Sequence, residues 1–327
     1  LGKINTQFLG GGNPICNEIV CNWGVTPAGI LGALTETLLL AKTENKKLKT
    51  HYYQETALMP KIRANSIDIY YEISGEGDPL LLIAGLGYGL WQWHKMIPAL
   101  SKHFQVIAFD NRGAGQTGQP PGPYTVQMLG ADTAGLLDAL GLAGVTVMGH
   151  SMGGFVAQEL ALARPDRVGR LILASTNFGG PNHIPITPEA MAVIMDRSGD
   201  PLDVIRRGIA VATAPGFAET QPGVVQELID YRLTNPVPLP AYQAQTAVGL
   251  GLLSAEAAFE RRLKHVTVPT LILFGEHDRV VPPGNADLLA RALPHSTVRI
   301  LPGAGHIFPL EVPDAAVAAV VEWAQHV

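Results

Sequence analysis

Charged side chains are scarce: they make up 16% of 327 residues, and the formal net charge is -5. No basic block is available to hold nucleic acid or an anionic lipid surface, so those partners are excluded and a small, largely apolar molecule is the expected one. Cysteine is scarcer still. Cys16 and Cys21 both lie close to the start, which leaves the rest of the chain no disulfide framework and no four-thiolate metal site. Long hydrophobic runs are also missing. The apolar helical pattern over residues 28–41 is too short to cross a bilayer and carries Glu36, and its basic residues follow the apolar stretch where a signal peptide has them in front. A cytoplasmic location without a membrane span is therefore expected. No internal repeat is visible, and nothing in the chain reads out an oligomeric state.

What is there falls into three kinds of segment. Residues 1–58 combine a glycine run at 10–12, a helical pattern opened by Thr26-Pro27 and a polar stretch at 42–47, and read as an N-terminal extension of uncertain role. From Lys61 to Ser74, Ile62, Ile67, Ile69, Tyr71 and Ile73 alternate with polar residues around Asn65-Ser66, the pattern of an antiparallel hairpin. Residues 80–84, 104–109, 145–148, 170–174, 270–274 and 297–301 are short apolar or β-rich runs. Helical patterns over 91–102, 124–140, 155–162, 285–293 and 313–326 separate or follow them, as a mostly parallel sheet covered on both faces requires. Between Gly179 and Leu263 the strand rhythm stops, and helical patterns at 188–197, 203–212, 224–232 and 242–253 replace it. The expected organisation is an α/β core over 59–178 and 264–327, interrupted by a helical cap at 179–263.

The sharpest local signal is Gly149-His150-Ser151-Met152-Gly153, set between a strand and a helix. A serine on so abrupt a turn needs neighbours without bulk; the turn lifts its hydroxyl clear of the sheet and aims the first amides of the next helix at a developing oxyanion. Ser151 reads as a nucleophile on that ground. Gly85-Leu86-Gly87, after the 80–84 strand, lets backbone amides approach a substrate oxygen, and Leu86 is the candidate second donor beside Met152. Asp278 and His306 each follow a strand, so in an open parallel sheet they can meet Ser151 at the carboxyl edge. His150 lies inside the turn, His277 adjoins Asp278, Glu276 is a weaker rival acid, and Ser175-Thr176-Asn177 offers no carboxylate. Asp110 and Arg112 are expected to pin the loop 110–115, as an ion pair with each other.

The order serine, acid, histidine, with Gly-His-Ser-Met-Gly at 149–153, Asp-Asn-Arg-Gly-Ala-Gly at 110–115, Gly-Glu-His-Asp at 275–278 and Gly-Ala-Gly-His at 303–306, resembles the α/β-hydrolase fold family from about Ile62 to Val327. The resemblance implies Ser151 as nucleophile, His306 as general base and then acid, Asp278 as its orienter, and the Leu86 and Met152 amides as the oxyanion hole, with no metal and no cofactor. One departure is Ala84-Gly85, where many relatives carry His-Gly. A serine nucleophile argues against relatives that open epoxides or displace halide, which use a carboxylate at that position.

The layout is similar to esterases and enol-lactone hydrolases with helical caps, and implies a carboxylesterase acting on small to medium apolar esters. Three alternatives stand beside it. An enol-lactone hydrolase would use Arg197, Arg206, Arg207 or Arg232 to hold a carboxylate, residues that otherwise read as solvated helix surface. A cofactor-free perhydrolase would share the same three residues. A small-ligand receptor on a hydrolase scaffold would keep them without rapid turnover.

Overall fold

The structure, a computed structural model, describes residues 60–327. Cys16, Cys21 and the helical pattern after Thr26 lie outside the described residues. Eight strands form one sheet: β1 (Lys61–Ala64), β2 (Ile67–Ser74), β3 (Pro79–Ile83), β4 (Gln105–Phe109), β5 (Val145–His150), β6 (Val168–Ala174), β7 (Thr270–Gly275) and β8 (Ser296–Leu301). Their order across the sheet is β1-β2-β4-β3-β5-β6-β7-β8. The first hairpin turns at Asn65 and Ser66, both at positive φ, and pairs antiparallel; β2 joins β4 antiparallel, and every later neighbour is parallel. Register aligns the carboxyl ends, with Ile83 opposite Gly149, His150 opposite Ala174 and Ala174 opposite Leu273. The loops carrying Leu86, Ser151, Asp278 and His306 therefore leave the sheet along one edge.

Helices α1 (Ile97–Leu100), α2 (Val126–Ala139) and α3 (Met152–Ala163) lie between the earlier strands. Then α4 (Pro188–Met195), α5 (Pro201–Ala212), α6 (Phe217–Thr220), α7 (Pro222–Thr234) and α8 (Leu239–Leu250) all fall between β6 and β7. Helix α9 (Asn285–Ala292) links β7 to β8, and α10 (Phe308–Glu311) and α11 (Pro313–Ala324) close the chain. Strand β3 shows why these helices cover both faces: Leu81 and Ile83 join Leu136, Val156 and Leu289 in one core, whereas Leu80 and Leu82 join Met96, Val317 and Trp323 in the other. Each such buried side chain contributes roughly 1.5–3 kcal/mol. A third cluster seats the helices between β6 and β7 on the sheet edge, with Ile209, Leu228 and Ile229 against Tyr88, Trp91 and Ile307. Among the described residues, no helix is long and apolar enough to cross a membrane.

Two expectations are corrected here. The helix expected over 91–102 is split into a 3-10 turn at Leu90–Trp93 and the short α1, because Pro98 has no N–H to give the His94 carbonyl and its ring would clash there. Asp110 and Arg112 do not pair with each other. Arg112 makes a bidentate bond to buried Asp132 (2.8 and 2.6 Å), while Asp110 accepts the Leu90 and Gln116 amides at 2.7 and 2.8 Å. Burial outweighs the pull of those two amides and pushes the Asp110 carboxyl up to about 6.

Candidate active site

Ser151 stands between β5 and α3 at φ 55 and ψ -119, a conformation that costs a non-glycine residue about 1–3 kcal/mol. The turn is possible because its neighbours are bare. A side chain at Gly153 would run into the Ile83 and Ala84 carbonyls, and one at Gly149 into the backbone of Gly153. The Ser151 amide donates to Ala174 at 2.9 Å, and the Thr176 hydroxyl donates to the Ser151 carbonyl at 2.9 Å. The hydroxyl is left facing His306, with Oγ 3.0 Å from Nε2.

His306 Nδ1 lies 2.8 Å from Asp278 Oδ2, and both residues are buried. The other Asp278 oxygen accepts the amides of Val280 (2.9 Å) and Val281 (2.8 Å) from its own loop, so the carboxylate cannot swing away from the ring. In this network the imidazole proton belongs on Nδ1, which donates to the carboxylate, and Nε2 accepts from the hydroxyl. The structure thus brings Ser151, Asp278 and His306 together in one chain of hydrogen bonds. His277 and Glu276 stay outside it, facing each other at 3.7 Å on the surface.

The loop after β3 is held at both ends by glutamines. Gln92 Oε1 accepts the Gly85 amide at 2.9 Å, and Gln245 Oε1, from α8, accepts the Gly87 amide at 3.0 Å. The Leu86 amide between them has no acceptor among the described residues, and neither does the Met152 amide at the start of α3. Leu86, Ser151 and His306 line one chamber of about 100 Å³. Its walls are largely apolar, with Val193, Ile194, Val211, Val280 and Ile307, and two arginines, Arg197 and Arg232, join them. Arg206 and Arg207 instead face Asp203 (3.9 Å) and Asp196 (3.5 Å) as solvated helix surface.

An alpha/beta hydrolase fold family model matches residues 78–313. The chain belongs to the α/β-hydrolase family. A protein of Azorhizobium caulinodans, whose name provisionally marks it as the carbamate hydrolase RutD, is 31% identical over 78% of this chain and 94% of its own length. The 3-oxoadipate enol-lactonase 2 of Acinetobacter baylyi is 30% identical over 80% of this chain and 96% of its own. Among solved structures, a thermophilic esterase from Thermogutta terrifontis superposes with a TM-score of 0.69 at 29% identity, covering 83% of this chain and 99% of that one. Hydrolysis is the level of chemistry that these likenesses support, and the chain is a hydrolase.

Several residues that shape this hydrolase's site were not singled out for it from the sequence. His150 donates from Nε2 to the His306 carbonyl at 2.8 Å; burial, with His306 beside it, drives its pKa down to about 3 and keeps the ring neutral. Glu311 accepts the Gly305 amide at 3.1 Å and the Ala214 amide at 2.7 Å, joining the histidine loop to the end of α5. Burial pushes its carboxyl up to about 7 against the pull of those amides. Gln92 and Gln245 carried no signal, since a glutamine in a helical pattern announces nothing about which distant amide it meets. The glycine spacing around His306 could have drawn attention to Glu311, five residues on.

Proposed function

We propose that the chain is a serine hydrolase that cleaves carboxylic esters, cyclic ones included, through an acyl-enzyme. The observation that carries this reading is the continuous path from Ser151 Oγ to His306 Nε2 (3.0 Å) and from Nδ1 to Asp278 (2.8 Å). His306 takes the hydroxyl proton as Oγ attacks the acyl carbon, and the carbonyl oxygen gathers negative charge facing the Leu86 and Met152 amides. The tetrahedral intermediate expels the alcohol, which takes the proton from His306 and leaves the acyl group on Ser151. Water then repeats the sequence: His306 removes its proton, the hydroxyl oxygen adds to the acyl carbon, and Ser151 leaves with that proton as the acid is released. Asp278 stabilises the imidazolium in both halves without being protonated itself. A donor pair of this kind supplies about 10²–10³ in rate for each member.

The chamber size and its valine and isoleucine walls support small to medium acyl groups. The relatives named for esters and for a lactone support the same reaction class. Rapid mixing with a chromogenic aryl ester tests it: one equivalent of chromophore per enzyme appears in a fast phase, followed by slower turnover. A linear release with no fast phase at saturating ester, and no acyl adduct on Ser151 after acid quench, would contradict the acyl-enzyme.

A further inference from the structure

Two cations face the Ser151 chamber with no anion among the described residues to balance them. Arg197 follows α4 and Arg232 lies on α7, and both line that chamber and a larger adjoining space of about 380 Å³, which shares Gly208 and Tyr242 with it. Among the described residues, no acidic side chain lines either space. Among the described residues neither guanidinium meets a carboxylate, although Arg206 and Arg207 from the same part of the fold each find one. Aromatic faces hold the pair instead. The Arg197 guanidinium lies 4.5 Å from the centre of the Tyr242 ring, and that of Arg232 lies 3.9 Å from Tyr88 and 6.0 Å from Trp91.

An aromatic face steadies a guanidinium without consuming its N–H edge, so most of its five donors remain available. Arg232 spends one on the Gly87 carbonyl at 3.2 Å, which ties it to the loop that presents the Leu86 amide. Burial lowers the pKa of Arg197, and the charge of Arg232 adds to the effect. Two like charges are thus held near each other in a partly desolvated place, an arrangement that an entering anion relieves.

We propose that Arg197 and Arg232 form a cationic collar that selects esters or lactones carrying a free carboxylate. The inference rests on the hydrolase reading above and names its substrate class. A planar carboxylate matches the guanidinium fork, and the apolar walls beyond the collar suit the short carbon chain between carboxylate and ester. Its place at the junction of the two spaces lets the collar draw anions in and then hold the charged end while the ester carbonyl sits at Ser151.

Two pairs of esters matched in length test this on the full chain. The first is the mono-p-nitrophenyl ester of adipic acid against p-nitrophenyl hexanoate, and the second is 4-carboxyphenyl hexanoate against phenyl hexanoate, so the charge sits on the acyl side or on the alcohol side. The collar predicts a higher kcat/KM for the charged member of at least one pair. In Arg197→Met that preference falls about ten- to a hundredfold, mainly through KM, because a charge-assisted bond to a carboxylate is lost. Arg197→Lys keeps part of it, and Arg206→Met, which alters a surface arginine paired with Asp203, keeps all of it. Labelling of Ser151 by a neutral fluorophosphonate is followed in each protein. If neither charged ester is preferred, or if Arg197→Met leaves the preference intact, the collar is overturned while labelling still upholds the hydrolase. Loss of labelling in the unaltered protein would bring down the hydrolase reading itself.

Discussion

The sheet edge and the helices between β6 and β7 contribute to the site in opposite ways. The sheet edge supplies Ser151, Asp278 and His306, each on a loop fixed by backbone hydrogen bonds and aligned by strand register. The inserted segment supplies Val193, Arg197, Val211, Arg232 and Tyr242, side chains that line the chamber at Ser151 and take no part in the hydrogen bonds joining it to His306 and Asp278. Strand register therefore sets the Ser151–His306–Asp278 geometry, and the inserted segment sets most of the chamber in front of it. The seam between them runs through a few contacts. Ile307 donates to Ala212, Glu311 bridges Gly305 and Ala214, and Gln245 reaches from α8 to the Gly87 amide.

The comparison sharpens first on the sheet side. Asp278→Asn keeps the shape and the two loop amides but favours the wrong imidazole tautomer, and kcat is expected to fall about 10⁴-fold with unchanged thermal stability. A fall below tenfold would show that the acid is no part of the chemistry. A smaller effect comes from a residue that breaks the division, since Gln245 belongs to the helices yet fixes the oxyanion loop. Gln245→Ala should lower kcat about tenfold, a fraction of the loss expected when a whole oxyanion donor goes, with KM little changed. An effect confined to KM would place Gln245 with the selecting walls instead.

A third effect, on stability and not on rate, concerns the seam. With its carboxyl pushed up from 4.5 to about 7, Glu311 binds a proton more tightly in the folded than in the unfolded chain, so it favours folding below about pH 4.5 and that contribution is lost as pH rises through 7. Glu311→Gln removes this dependence. Relative to the unaltered protein, its stability should improve by up to about 3 kcal/mol between pH 4 and pH 8, measured by urea unfolding. A constant difference across that range would show that Glu311 does not titrate there.

The same contrast explains what could be read from the sequence. Strands β3 to β8 and the meeting of Ser151, Asp278 and His306 were legible because period-2 and continuous apolar runs announce strands, and a parallel sheet gathers the loops that follow them. The helical patterns of the inserted segment were legible as helices too. What they surround was not. Arg197, Arg206, Arg207 and Arg232 look alike as letters on polar helices, and only packing sends two to the chamber and two to surface carboxylates. The break at Pro98 shows the reverse error, an apolar pattern that favoured one helix against a local backbone rule. The Arg112–Asp132 pair shows another: a neighbouring acid in sequence was preferred to a distant one that α2 brings into place.

The central claim is that Ser151 is the activated nucleophile, and covalent capture measures it most directly. A fluorophosphonate is applied to the full chain, followed by peptide mapping by mass spectrometry. The account predicts a single adduct on Ser151, formed much more slowly in His306→Ala. An adduct on another serine, or labelling of Ser151 at the same rate without His306, would contradict it.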